Sequence, residues 1–135
     1  MINRRYFLKG SFLAAAGLAV INPSKMLASD NNKFSGVVYT KDDAGKWSKK
    51  VKSHAPVATV EGNKVTVKTT HGMSEKHYIV RHTIVGKDGA VLGEKTFYPK
   101  DEKAVSVFEL ENIPKSFYAT SFCNLHDLWV SEYSS

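Results

Sequence analysis

The single cysteine of this 135-residue chain, Cys123, lies three residues before His126, and His54, His71 and His77 lie upstream. One thiolate and four imidazoles have the composition of a metal site. A structural zinc site normally stops at four ligands, usually with more than one cysteine, whereas a soft thiolate beside several imidazoles suits a redox-active first-row metal. Five candidate donors therefore point to iron ahead of zinc. A lone cysteine cannot close an internal disulfide, so in an exported chain it pairs with another molecule, stays a free thiol or binds a metal. Taken singly, the residues have plainer readings. Cys123 follows the strand-like run Phe117 to Phe122 and reads as a small apolar core side chain. His71 and His77, at the two ends of a Gly-Met-Ser-Glu-Lys loop, read as histidines titrating in solvent.

The surrounding words decide between these readings. His54-Ala55-Pro56, His71-Gly72-Met73-Ser74-Glu75-Lys76-His77-Tyr78-Ile79 and Cys123-Asn124-Leu125-His126-Asp127-Leu128-Trp129 occur in that order. Over residues 46 to 133 the chain resembles the iron domain of the superoxide reductases, the desulfoferrodoxin and neelaredoxin family. Three separated motifs in sequence carry a specificity that none has alone. The resemblance implies one mononuclear iron, held equatorially by His54, His71, His77 and His126 and axially by Cys123, with the position opposite the sulfur open. An electron-rich thiolate facing that position raises electron density on the iron, as axial thiolates do in some haem enzymes. The implied activity is one-electron reduction of superoxide to hydrogen peroxide. No four-cysteine rubredoxin-like domain is present in the sequence, so the electron must come from an external donor. The competing function is a non-enzymatic periplasmic iron module that transfers electrons or senses oxidants.

One departure bears on mechanism. Many relatives carry Glu-Lys immediately before the first histidine, the glutamate able to cap oxidised iron and the lysine near the open site; here those positions are Lys52 and Ser53. Glu75-Lys76 belongs to the second histidine motif and does not replace them. Lys46, Lys49, Lys50 and Lys52 crowd the approach to His54 with no intervening acid. Lys52 is the candidate for electrostatic steering of superoxide, since clustered positive charge concentrates an anion; the alternative is a solvated lysine-rich loop. Proline after Ala55 holds that residue extended and helps to aim His54. Asn124 and Leu125 are expected to offer backbone amides to the Cys123 sulfur. His82 has strand parity opposite to His77 and reads as a satisfied core histidine, with Trp129 and Phe122 as packing around the centre.

The elements that must position these residues are strands. Period-two or β-rich runs fall at Val57 to Glu61, Asn63 to Thr69, His77 to Val85, Ala90 to Tyr98, Ala104 to Leu110, Phe117 to Phe122 and Trp129 to Tyr133, with turn chemistry at Gly62-Asn63 and Gly86-Lys87-Asp88-Gly89. About seven short strands without a helical period predict an all-β fold, an antiparallel β-sandwich. The family resemblance makes it immunoglobulin-like, and implies association into a homo-oligomer through sheet faces.

Arg4-Arg5, the apolar stretch Phe12 to Ile21 and polar Asn22 to Lys25 look like a twin-arginine signal over residues 1–28, which implies the twin-arginine export machinery and a periplasmic location. Cleavage near Ala28 is the expectation, and a retained membrane anchor its alternative, the apolar stretch being short of the ~20 residues of a span. A polar lead-in over 29–46 and a packed iron-binding domain over 47–135 complete the expected organisation. The net charge is +6, and without the four basic residues of 1–28 it falls to about +2. So small a remainder, with no nucleic-acid motif, argues against a nucleic-acid partner.

Overall fold

In the strand Lys64–Thr69 the buried side chains are Val65, Val67 and Thr69, the alternation of a strand with one face on the core. The same alternation runs through most of the chain. The computed structural model describes residues 33–135; the twin-arginine segment and the first residues of the lead-in lie outside them.

The described chain forms β1 (Val38–Tyr39), a 3-10 turn (Gly45–Lys50) running into a single helical turn α1 (Val51–His54), then β2 (Val57–Glu61), β3 (Lys64–Thr69), β4 (Ile79–Gly86), β5 (Val91–Thr96), β6 (Ala104–Glu109), β7 (Ser116–Cys123) and β8 (Asp127–Ser134). One sheet has the order β1-β8-β7-β4-β5 and the other β2-β3-β6. The fold is the expected immunoglobulin-like β-sandwich, with its hairpins antiparallel and one addition, β1, paired parallel to β8. Val65, Val67, Ile84, Phe117 and Ala119 fill the space between the sheets.

Seven strands match the runs seen in sequence. The eighth, β1, falls in the segment read as loosely ordered. There Tyr39 is 1% exposed and packs with Ala44 and Trp129, so packing begins upstream of Trp47. The helical turn was also not expected. Its apolar side chains Trp47, Val51 and Ala55 lean on the same cluster.

A bulge in β4 matters for the site. Between Ile79 and Arg81 two residues advance against one of β7, which sets Ile79 opposite Cys123. Both Ile79 and His82 thereby face inward, although they are three residues apart. His82 is fully buried and satisfied, with Thr69 Oγ1 2.8 Å from Nε2 and Ser106 Oγ 2.8 Å from Nδ1. Trp129 is buried as expected, whereas Phe122 turns outward and is 41% exposed.

Candidate metal centre

His54 ends α1 and is buried. Its Nδ1 is 3.1 Å from the Lys50 carbonyl one turn earlier and 2.7 Å from Ser53 Oγ, while the Ser53 hydroxyl donates to that same carbonyl at 3.1 Å. The proton therefore sits on Nδ1 and the Nε2 lone pair is free to point inward. Ala55 then adopts an extended conformation before buried Pro56. His71 is fixed in the same way, its Nδ1 donating to the Gly72 carbonyl. Ser74 shapes the loop between the second and third histidines: its hydroxyl donates to the His77 carbonyl at 3.0 Å, and its N–H donates there at 3.0 Å.

Cys123 and His126 flank the tight turn between β7 and β8, where Asp127 has a left-handed φ of 68°. The Trp129 indole N–H donates to the His126 carbonyl at 2.9 Å. Trp47 packs its ring edge-on against the His126 ring, centroids 4.6 Å apart, and donates its indole N–H to Asp127 Oδ2 at 3.0 Å. Asn124 ties this turn to the loop carrying His77: its Oδ1 accepts from the Tyr78 N–H at 3.0 Å and its Nδ2 donates to the Lys76 carbonyl at 3.0 Å. Sequence reasoning did not single out Asn124 side-chain bonds, although an Asn in a turn often bonds neighbouring backbone.

The candidate donors form a chain of close neighbours. His54 Nε2 stands 3.1 Å from His126 Nδ1, His126 Nδ1 stands 2.9 Å from His77 Nε2, and His77 Nε2 stands 3.0 Å from His71 Nε2. Donors about 2.1 Å from a common centre stand ~3.0 Å apart at right angles and ~3.4 Å apart in a tetrahedron, so these three spacings match neighbouring ligands at right angles. Cys123 Sγ lies 3.6 Å from His126 Nδ1 and 3.9 Å from His71 Nε2, farther than those neighbouring nitrogens lie from each other. The donor atoms of His54, His77, Cys123 and His126 all lie within 4.8 Å of one another; His71 falls outside that group and meets it through His77 and Cys123. With the Nδ1 protons of His54 and His71 committed to carbonyls, the Nε2 lone pairs of these two rings point towards the other donors. A first-row metal fits one thiolate and four imidazoles.

The electrostatics favour metal binding. Burial first, then the neighbouring His71, pushes His54 down to about 4, keeping its imidazole neutral. Burial also lowers His71 and His126. For Cys123, burial pushes the thiol up, and the backbone N–H groups of Leu125 and His126 pull it back. This corrects one expectation: the Asn124 amide donates to the Tyr78 carbonyl at 3.3 Å, and the second amide at the sulfur is that of His126.

A cleft opens beside three of the imidazoles, walled by Lys50, Ser53 and Thr70 together with His54, His71 and His77. Cys123 and His126 are not among its walls. Lys50 is the lysine of the cluster that reaches it. Lys52, the candidate for steering, is exposed and does not line it.

A two-sheet β-sandwich carrying a four-histidine, one-cysteine donor set at one end defines the class. The chain belongs to the desulfoferrodoxin family, which it matches over residues 46–132. It is 36% identical over 81 residues to a desulfoferrodoxin homolog of Archaeoglobus fulgidus, a match covering 58% of this chain and 61% of that protein. The chain thus matches about three fifths of that relative's length. Among solved structures, the superoxide reductase (1Fe-SOR) of Giardia intestinalis superposes with a TM-score of 0.57 at 26% identity, covering 62% of this chain and 99% of that one. The superoxide reductase (neelaredoxin) of Ignicoccus hospitalis gives 0.58 at 26% identity, covering 74% and 94%.

Proposed function

We propose that this protein is a one-iron superoxide reductase, exported by the twin-arginine route, that reduces superoxide to hydrogen peroxide with electrons from an external donor. The observation that carries the reading is the grouping of three imidazoles and one sulfur, with His71 adjoining them, beside a cleft walled by Lys50. Likeness to solved proteins named superoxide reductase supports it. The ligands would be His54, His71, His77, His126 and Cys123, and bound iron would supply the one-electron step.

The chain's own residues do the rest. The Lys50 and Gly72 carbonyls hold two imidazoles with their lone pairs inward. The Leu125 and His126 amides stabilise the thiolate. Lys50, at the wall of the cleft, draws in a small anion and can hydrogen-bond it through Nζ. The Glu-Lys pair of many relatives is replaced by Lys52-Ser53, and Ser53 is bonded to His54 and the Lys50 carbonyl.

Superoxide consumption by the iron-loaded protein, compared with the metal-free and Cys123→Ser forms, tests the proposal. Rapid decay with hydrogen peroxide as product, and no dioxygen, is expected from the loaded wild type alone. Reversible iron oxidation and reduction without superoxide consumption would sink the enzyme and leave an electron-transfer or sensor module. For export, Arg4→Lys with Arg5→Lys is expected to hold the precursor in the cytoplasm; normal periplasmic appearance would point to general secretion.

A further inference from the structure

Thr69 lies two residues before His71, and Ser121 lies two residues before Cys123. Thr69 closes β3 of the three-stranded sheet, whereas Ser121 belongs to β7 of the five-stranded one. Their hydroxyl oxygens meet between the sheets, 2.8 Å apart, and both side chains are buried. From each of them a two-residue step leads to a candidate donor, and those donors, His71 Nε2 and Cys123 Sγ, stand 3.9 Å apart. On β7 the step keeps strand parity, so Ser121 and Cys123 both face inward. On β3 the strand ladder ends at Thr69, whose backbone carbonyl accepts the His71 N–H at 2.9 Å.

Thr69 is itself held in place. Its Oγ1 is also 2.8 Å from His82 Nε2, and His82 Nδ1 is 2.8 Å from Ser106 Oγ on β6. The run of bonds from Ser106 through His82 and Thr69 to Ser121 crosses between the sheets at each step, with every side chain buried. Such a layer adds little net stability, since its bonds replace bonds to water and apolar groups of the same shape can serve as well. What it supplies is register. A paired polar group in a dry interior tolerates little displacement, because moving its partner leaves it unsatisfied.

We propose that Thr69 is a positioning residue of the metal centre: its hydroxyl bond to Ser121 clamps the end of β3 to β7 and so sets the His71 imidazole against the Cys123 sulfur. This rests on the reading of the donor set as a metal site. Both hydroxyls act through the backbone, and neither is a donor.

Cobalt(II) is the probe, titrated into the metal-free full chain, because its sulfur-to-metal absorption reports the thiolate and its visible bands report the ligand set. Wild type is expected to show both signals. Thr69→Val, which removes the hydroxyl, is expected to bind cobalt about tenfold more weakly with shifted visible bands, and Thr69→Ser to keep the wild-type spectrum. Ser121→Ala should match Thr69→Val, and the double variant should be no weaker than either single one, as for the two ends of one bond. Ser106→Ala is the control. It breaks the layer at β6, which carries no candidate donor, and should lower the denaturant midpoint while spectrum and affinity stay at wild type. Unchanged spectrum and affinity in folded Thr69→Val or Ser121→Ala overturn the clamp; Ser121→Ala decides alone if Thr69→Val does not fold. An equal change in Ser106→Ala overturns it too, by making the layer general core packing. Absence of a sulfur-to-cobalt band in wild type removes the metal reading and the clamp with it. Clamp-dependent cobalt spectra in a protein whose iron form ignores superoxide would sustain the clamp and remove the superoxide reading. Superoxide consumption by wild type, with Thr69→Val and Ser121→Ala unchanged in spectrum and affinity, would do the reverse.

Discussion

Lys50 and Lys52 sit two residues apart in sequence and face different surroundings. Lys50 walls the cleft beside His54 and His71, whereas Lys52 is exposed and lines no part of it. If superoxide enters by the cleft, Lys50→Gln should slow its capture about threefold to tenfold, with the deficit shrinking as salt screens the field, and Lys52→Gln should stay near wild type. Stopped-flow decay of superoxide separates the two, and an equal effect of both substitutions would mean a diffuse field rather than one placed charge. Asn124 makes a different kind of contribution. It touches no candidate ligand atom of the metal, yet its two side-chain bonds join the turn of Cys123 and His126 to the loop of His77. Asn124→Ala is therefore expected to lower metal affinity about tenfold while leaving the fold intact. Competition against a chelator would read this, and an unchanged affinity would show that the two segments hold register without the tie.

The 3-10 turn and α1 carry one candidate ligand, His54, and press Trp47 against another, His126. Trp47→Ala removes the bond to Asp127 and the edge contact with His126 together. It should cost about 2 kcal/mol of stability, less than a fully buried tryptophan, and weaken metal binding with the strand signal in circular dichroism retained. Full metal affinity in that variant would show that His126 is held by its own turn alone. This element was the hardest to foresee. Ala44, Trp47, Val51 and Ala55 do fall at three- and four-residue spacings, but the window is short and four lysines dominate it. β1 was missed for another reason: it is two residues long, and what holds it is a distant partner, β8. The other strands were legible because most alternate over five or more residues and glycines with positive φ, Gly62 and Gly89, mark turns between them. The donor set was legible through its motifs. Which lysine reaches the cleft was not, because it depends on which way a ten-residue helical segment is rotated.

At the scale of the whole molecule, the two sheets are joined across the core by a polar layer as well as by apolar packing. His82 on β4 bonds Thr69 on β3 and Ser106 on β6, and Thr69 Oγ1 reaches Ser121 Oγ on β7 at 2.8 Å. All four side chains are buried, and no buried side-chain polar atom among the described residues lacks a partner. A neutral imidazole satisfies this layer by donating at one nitrogen and accepting at the other, so a second ring proton has no acceptor waiting. Burial accordingly holds His82 down at about 4, against 6.5 in an unfolded chain. Above pH 6.5 both states are neutral and the group costs nothing. As pH falls from 6.5 towards 4 the unfolded chain takes up a proton that the folded one refuses, so stability drops progressively, by on the order of 3 kcal/mol, and levels off below the folded value. The candidate metal ligands also compete with protons in this range, so the informative quantity is a difference. His82→Gln should be less stable than wild type at pH 7 because the amide cannot reproduce both bonds. Its stability, from denaturant unfolding at each pH, should nevertheless fall less steeply between pH 6.5 and 4, so that the two curves converge in acid. Parallel curves would show that the sandwich absorbs the charge by opening locally, and that the seam between the sheets is held by its apolar contacts.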